Sequence, residues 1–392
     1  MKLRSLFVFA AIIELACNAP LGLAVTATTG GVSPSAAPPQ GTKLSPATSM
    51  PPTETPPPTL EPEITIALAD SADPVSAIYY ARPDGTIVRT LPLADSEIGS
   101  DLIIGGERVF FGDFRKLTIG EIDQAGRVNY LAFTYQPHGF TDSFLPSPDG
   151  QYIAWATLDI TSFDEPIQAT AQLHVAGENG TNPVVVSEEQ NQGQRIIVPV
   201  RWRAGDRVLF AAHQPYGIGG YILFGVYLDL FRLDLDSGVS TTIIGDCSSC
   251  DVGLSPDGTK AAFVSGGTAD LTLFDVSSGK RRVVPGAQGH AAAGNIVFSP
   301  DGSRLVYTEA VVNPEAERFA VYLVDFASGV KTTLIPDDAR ELTARAWPLA
   351  GVIILSGYEA GAAGSVYNTW TMRADGSGLT QTFPGKRFLG VQ

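Results

Sequence analysis

The sequence predicts an all-β fold: a single β-propeller of seven four-stranded blades. Three observations predict it. Ser-Pro-Asp-Gly occurs three times, at 147–150, 255–258 and 299–302, each time just before an apolar β-rich stretch such as Ala261-Ala262-Phe263-Val264. A second signal follows downstream, a strand ending in a glycine turn, as in Phe231–Gly238, Leu273–Gly279, Tyr322–Gly329 and Trp370–Gly376. The residues preceding the first turn (Ile104, Pro146, Trp202, Leu254, Phe298, Trp347) are 42, 56, 52, 44 and 49 apart. Four short strands in each period of roughly 40–55 residues is the pattern of a propeller blade.

The turn has a mechanism. Proline fixes φ, aspartate bonds the turn through its side chain, and glycine accepts positive φ. Degenerate copies fill the gaps: Gly105-Gly106-Glu107 before Val109, Trp202–Asp206 before Val208, and Trp347–Gly351 before Val352. Short strands such as Thr241–Ile244 and Thr332–Ile335 complete each unit. The first unit has Ile78–Gly85 as strand and turn, then Ile87–Leu91, but lacks an inner strand before Ile64. The chain ends on a spare strand, Arg387–Gln392. That strand is expected to complete the first blade and close the ring, which removes exposed sheet edges. Six or eight blades stay open, because the first two units carry the weakest signals.

This repeat resembles the Ser-Pro-Asp-Gly propellers, a WD-like family found in the TolB C-terminal domain and in the propeller of prolyl oligopeptidase-type peptidases. The resemblance covers residues 64–392 and implies a fold rather than an activity. Two departures matter. A Pro-rich stretch stands where TolB has its N-terminal α/β domain. No G-x-S-x-G nucleophile elbow accompanies the repeats, as a peptidase would require.

Residues 1–17 read as an export signal. Lys2 and Arg4 precede the apolar run Leu6–Ile13, which is short for a membrane-spanning helix. Leu15-Ala16-Cys17 resembles the bacterial lipoprotein signal, with Cys17 as the lipidated residue, although Glu14 stands where that pattern usually has leucine. Conventional cleavage between Ala19 and Ala27, or an uncleaved anchor, are the alternatives. Each places the body of the protein outside the cytoplasm, on a cell surface or secreted. Residues 18–63 then form a tether, with 11 of the 28 prolines and no aromatic residue between 18 and 62. Such a composition buries too little apolar area to fold and favours an extended spacer.

Charge narrows the partners. With 26 Lys and Arg against 41 Asp and Glu, the formal net charge is −15. No basic footprint exists for nucleic acid, and charge alone would not hold the chain on an anionic membrane. Membrane contact is expected only through the N-terminal lipid. A protein, peptide or glycan partner in the cell envelope fits better, with the chain a monomer.

The chemistry-bearing residues are few. Cys247-Ser248-Ser249-Cys250 lacks the further ligands that zinc needs, so a local Cys247–Cys250 disulfide pinning a loop is expected. Asp234–Gly238 lacks the full calcium-loop pattern and reads as a hairpin turn. His174 falls within a strand. His138 and His290 fall in blade-to-blade loops and His213 in a loop between second and third strands, and both loop classes share one face. The same face carries the segments 159–170, 213–226, 309–318 and 357–365, with acids including Asp164 and Glu309. Tyr216, Tyr221 and Phe224 lie in a Gly- and aromatic-rich stretch suited to recognition, since aromatics bring area at low entropy cost. The alternative is that Tyr221–Tyr227 merely extends the third strand. An aromatic face inside an acidic rim would favour cationic groups or Ca²⁺. No cofactor is required, and Ca²⁺ or another divalent metal is the one candidate.

Two functions follow. The favoured one is a non-catalytic binding or scaffolding module. The other is a lactonase- or lyase-type enzyme with a metal or polar site at the channel mouth. Convergence of His138, His213 or His290 with acids within about 5 Å is the geometry that would favour the enzyme.

Overall fold

The computed structural model describes residues 64–392, apart from 72–73, 94–97, 100–101, 114, 133–139, 163–166, 204, 206, 217–222, 248, 314–316, 350 and 362–363. The expectations for Cys17, the tether, His138, Asp164 and Tyr221 lie outside the described residues. Within them are seven antiparallel four-stranded sheets, each built from consecutive strands except at the closure. No helix among them is long and apolar enough to cross a membrane.

The closure is the expected one. Lys386–Val391 pairs with Ile66–Asp70 and becomes the innermost strand of the first blade. Two backbone bonds seal it, Thr65 N–H to Gln392 O at 3.1 Å and Gln392 N–H to Thr65 O at 2.8 Å. Seven apolar clusters hold the ring, one at each junction between neighbouring blades. The junction of the seventh and first blades joins Ile354 and Phe383 to Ile66 and Leu68. Burial follows position. The second strand of the fifth blade, Lys260–Val264, is buried along most of its length, whereas the outermost strand, Arg281–Val284, is mostly exposed.

The Ser-Pro-Asp-Gly repeat is one hydrogen-bond network built three times. The buried Ser147 hydroxyl donates to Asp149 at 2.5 Å and accepts the Tyr152 N–H at 2.9 Å. Ser255 and Ser299 do the same with Asp257 and Asp301 at 2.6 Å, and with the N–H groups of Lys260 and Arg304 at 3.0 Å. Gly302 closes its turn at φ 63°, where a side chain would be strained.

The second strands run further than the sequence suggested. They extend to Ser162, Pro215, Val311 and Gly361. His213 and Glu309 therefore stand in strands rather than loops. The hydrophobic pattern hid this, because a polar residue in an apolar run reads as a strand end. The reading in which residues 221–227 extend the third strand fails over its described part, 223–227, since that strand starts at Leu230.

Candidate functional site

Short turns close one face of the ring. On the other emerge the blade-to-blade loops and the loops between second and third strands. A pocket of about 420 Å³ opens there, lined among others by Phe224, Asp251, Val264, Ala292 and Val312. Its floor is Asp251, the first residue of the innermost strand Asp251–Leu254. The Asp251 carboxylate accepts the N–H of Gly225 at 2.9 Å and that of Asn295 at 3.1 Å. Burial nevertheless outweighs these bonds and pushes its pKa up.

Phe224 is carried from the fourth blade onto the inner strands of the fifth and sixth. It lies directly over Gly294, where a Cβ would come 2.6 Å from the Phe224 Cβ. Tyr227 and Cys250 exchange backbone bonds of 2.8 and 2.6 Å, and the Cys247 N–H donates to Leu228 O at 2.9 Å. Cys247 and Cys250 are joined as a disulfide, Cα to Cα 5.8 Å. The Cys-x-x-Cys turn thus braces the pocket wall.

Two histidine–acid clusters stand at the same end of the molecule. His290 Nδ1 lies 2.7 Å from Glu309 Oε2, and its Nε2 lies 3.0 Å from Asp337. Glu309 is fully buried. It also accepts from Tyr307 OH at 2.5 Å, from the Ala287 N–H at 2.8 Å, and from Lys331 Nζ, which sits 4.0 Å over the Tyr322 ring. Burial, with the Glu309 charge, pushes Tyr322 up to about 12. The cluster faces the apolar junction between the fifth and sixth blades. In the fourth blade, His213 Nδ1 lies 2.7 Å from Asp229 and its Nε2 3.0 Å from Glu189, to which Arg195 Nε donates at 2.9 Å. Burial raises the Asp229 pKa, but the bonds from His213 outweigh it and hold the carboxyl below its usual range.

The structure brings together some expected residues and separates others. Glu309 is a buried partner of His290 and not a rim acid. His213 and His290 belong to separate clusters, in different blades. Tyr216 is exposed, 42%, and does not line the pocket, whereas Phe224 does. His174 stacks on Trp155 at 5.1 Å within the third blade. Among the described residues no three His, Cys, Asp or Glu side chains are arranged to hold a metal ion.

Sequence reasoning missed Asp251, Asp229, Glu189 and Lys331. One signal was available. Tyr307 and Glu309 are two residues apart in a strand and must share a face, so the tyrosine that enters the core takes the glutamate with it.

No family model matches the chain, and neither does any curated protein. Solved structures do. An oligogalacturonate lyase from Vibrio parahaemolyticus superposes at TM-score 0.51 and 11% identity, covering 79% of this chain and 91% of that one. A candidate 6-phosphogluconolactonase from Bacteroides uniformis reaches 0.50 at 13% identity, covering 84% and 99%. TolB from Acinetobacter baumannii reaches 0.42 at 14% identity, covering 83% and 81%. The chain is a seven-bladed β-propeller. At these identities the likeness shows the fold alone, because one propeller supports many chemistries.

Proposed function

We propose that this propeller is a binding module that works outside the cytoplasm, tethered through a lipid on Cys17, and engages a protein, peptide or glycan at its loop face. The observation that carries the reading is the Phe224–Asp251 pocket. It offers an aromatic wall, a buried carboxyl and a disulfide brace on the loop face. A concave apolar site with one or two convergent polar groups is the usual form of a ligand site. The disulfide fits an oxidising compartment, in keeping with the export-type N-terminus. The protein acts as a monomer and needs no cofactor.

A catalytic reading, of lyase or lactonase type, draws on the His213 and His290 clusters. Both histidines meet two acids within 3.0 Å. That convergence is what an acid–base site requires. Against it, both ring nitrogens of each histidine already face carboxylates, and the His290 side chain is 2% exposed. Neither ring has a free nitrogen for a substrate.

The test is a panel of glycans and peptides presented to the full chain and to Phe224→Ala, with turnover of oligogalacturonate and of sugar lactones measured in parallel. Binding that Phe224→Ala weakens at least tenfold, without turnover, supports the module. Turnover abolished by His213→Asn would replace it with the enzyme. Loss of membrane association in Cys17→Ala tests the anchor.

A further inference from the structure

Arg345, on the loop face, feels nearby carboxylates but pairs directly with none among the described residues. Arg345 lies in Glu341–Leu349, the innermost strand of the seventh blade. Ala344 pairs with Leu355 and Ala346 with the adjacent Ile354, so Arg345 is an extra residue, a β-bulge. Bulges re-aim a side chain and concentrate beside sites. Ala344 is buried while Arg345 is exposed, on the strand that borders the channel. Among the described residues its guanidinium donates no hydrogen bond and joins no ion pair.

Its electrostatic neighbours place it towards the loop face. Glu341 and Asp251 are the first residues of their innermost strands, Arg387 is the second residue of its own, and Tyr367 stands near the start of a third strand. Enclosure by protein lowers the Arg345 pKa even though water reaches it, as expected for a group inside a channel. Burial favours the neutral form of Asp251, which weakens the one acid shared with the pocket. A planar guanidinium with five donors and no acceptor is matched by a carboxylate, which it can hold bidentately. An acidic surround lowers the affinity for diffuse anions and leaves selectivity to a single well-placed group.

We propose that Arg345 reads a carboxylate on the ligand of this face, so that the ligand is a carboxylated molecule with an otherwise largely uncharged body. The inference rests on the loop face being the binding site.

The experiment is calorimetric titration of the full chain with sodium glucuronate and with N-acetyl-glycyl-glycine, against the uncharged glucose and N-acetyl-glycyl-glycinamide. At least one carboxylate is expected to bind while its neutral analogue does not, and the better of the two tells a glycan from a peptide C-terminus. Arg345→Gln should weaken that binding at least tenfold, Arg345→Lys should retain part of it, and Arg127→Ala, at an exposed arginine of the turn face, should change nothing. Should Arg345→Gln fail to fold, a shift of the Arg345 side-chain NMR signals on titrating the wild type replaces it, and no shift overturns the proposal. Equal binding of neutral analogues, no binding of either carboxylate, or an unchanged Arg345→Gln also overturns it. If the carboxylates fail while Phe224→Ala still loses the panel ligand, the binding-face reading stands and only this inference falls.

Discussion

The two faces of the ring are made in different ways. The turn face repeats one device: a serine hydroxyl, an aspartate and a glycine close the same hairpin at 147–150, 255–258 and 299–302. The loop face shows no such repeated turn among the described residues. Its pocket residues come from different blades and meet only in the folded ring: Phe224 from the fourth, Asp251 from the fifth, Gly294 and Asn295 from the sixth. Local devices stabilise a scaffold and need only short-range sequence. A site needs groups brought together from distant strands, and it keeps polar groups where an efficient core would not. The contrast predicts that substitutions on the loop face have large and specific effects, and those on the turn face small and additive ones.

The largest expected effect is at the most buried charge. Lys331→Met leaves Glu309 buried with an uncompensated charge, which typically costs about 3–5 kcal/mol. The double change Lys331→Met with Glu309→Gln should recover much of that loss in denaturant unfolding. A Lys331→Met variant as stable as wild type would show that the network is not the buried pair described here.

Next comes Gly294→Ala. Its Cβ would collide with Phe224 and with the Asp251 carboxylate. Overpacking of this kind costs about 1–3 kcal/mol. It should also displace Phe224, so panel binding falls with the melting temperature. Unchanged binding would detach the pocket from recognition.

Replacing both Cys247 and Cys250 by serine should cost at most about 2 kcal/mol, because the loop they close is short. The change should instead appear locally, as faster hydrogen exchange at Tyr227 and Leu228, whose backbone bonds the turn holds.

The smallest effects belong to the turn face. Asp301→Ala removes hydrogen bonds from one turn of several, worth about 1 kcal/mol. Acid gives the same face a collective signature. Hydrogen bonds from Ser277 and Ser278 lower the Asp275 pKa to about 2, and those from Ser299 and Ser303 lower that of Asp301. A carboxyl whose folded pKa lies below its unfolded value stabilises the fold above the unfolded value, near 3.8. That contribution is lost as pH falls from about 4 towards 2. Unfolding followed across this window should show the loss, and it should diminish in Asp275→Asn and Asp301→Asn.

The fold could be read from sequence because its signals are local. Pro-Asp-Gly declares a turn wherever it stands, and a spare strand at Arg387 with none before Ile64 declares the closure. The site could not be read in the same way. Lys331 and Glu309 are 22 residues apart and join only across the blade. Asp251 looks like any residue after a cysteine turn until Gly225 and Asn295 arrive from other blades. Glu309 resembled a loop acid because the pattern within Leu305–Val311 breaks there. The physical reason for the break was a buried partner that no short window contains. Phe224 was legible, since its composition differs from the rest of the chain, but its resting place over Gly294 was not.

One comparison tests the account most directly. Wild type, Phe224→Ala and Asp301→Ala are each titrated with the best ligand of the glycan and peptide panel, well below their melting temperatures. Phe224→Ala is expected to lose at least tenfold in affinity, while Asp301→Ala keeps wild-type affinity despite its lower stability. Equal losses in both variants, or a loss confined to Asp301→Ala, would contradict the division of the ring into a scaffolding face and a binding face.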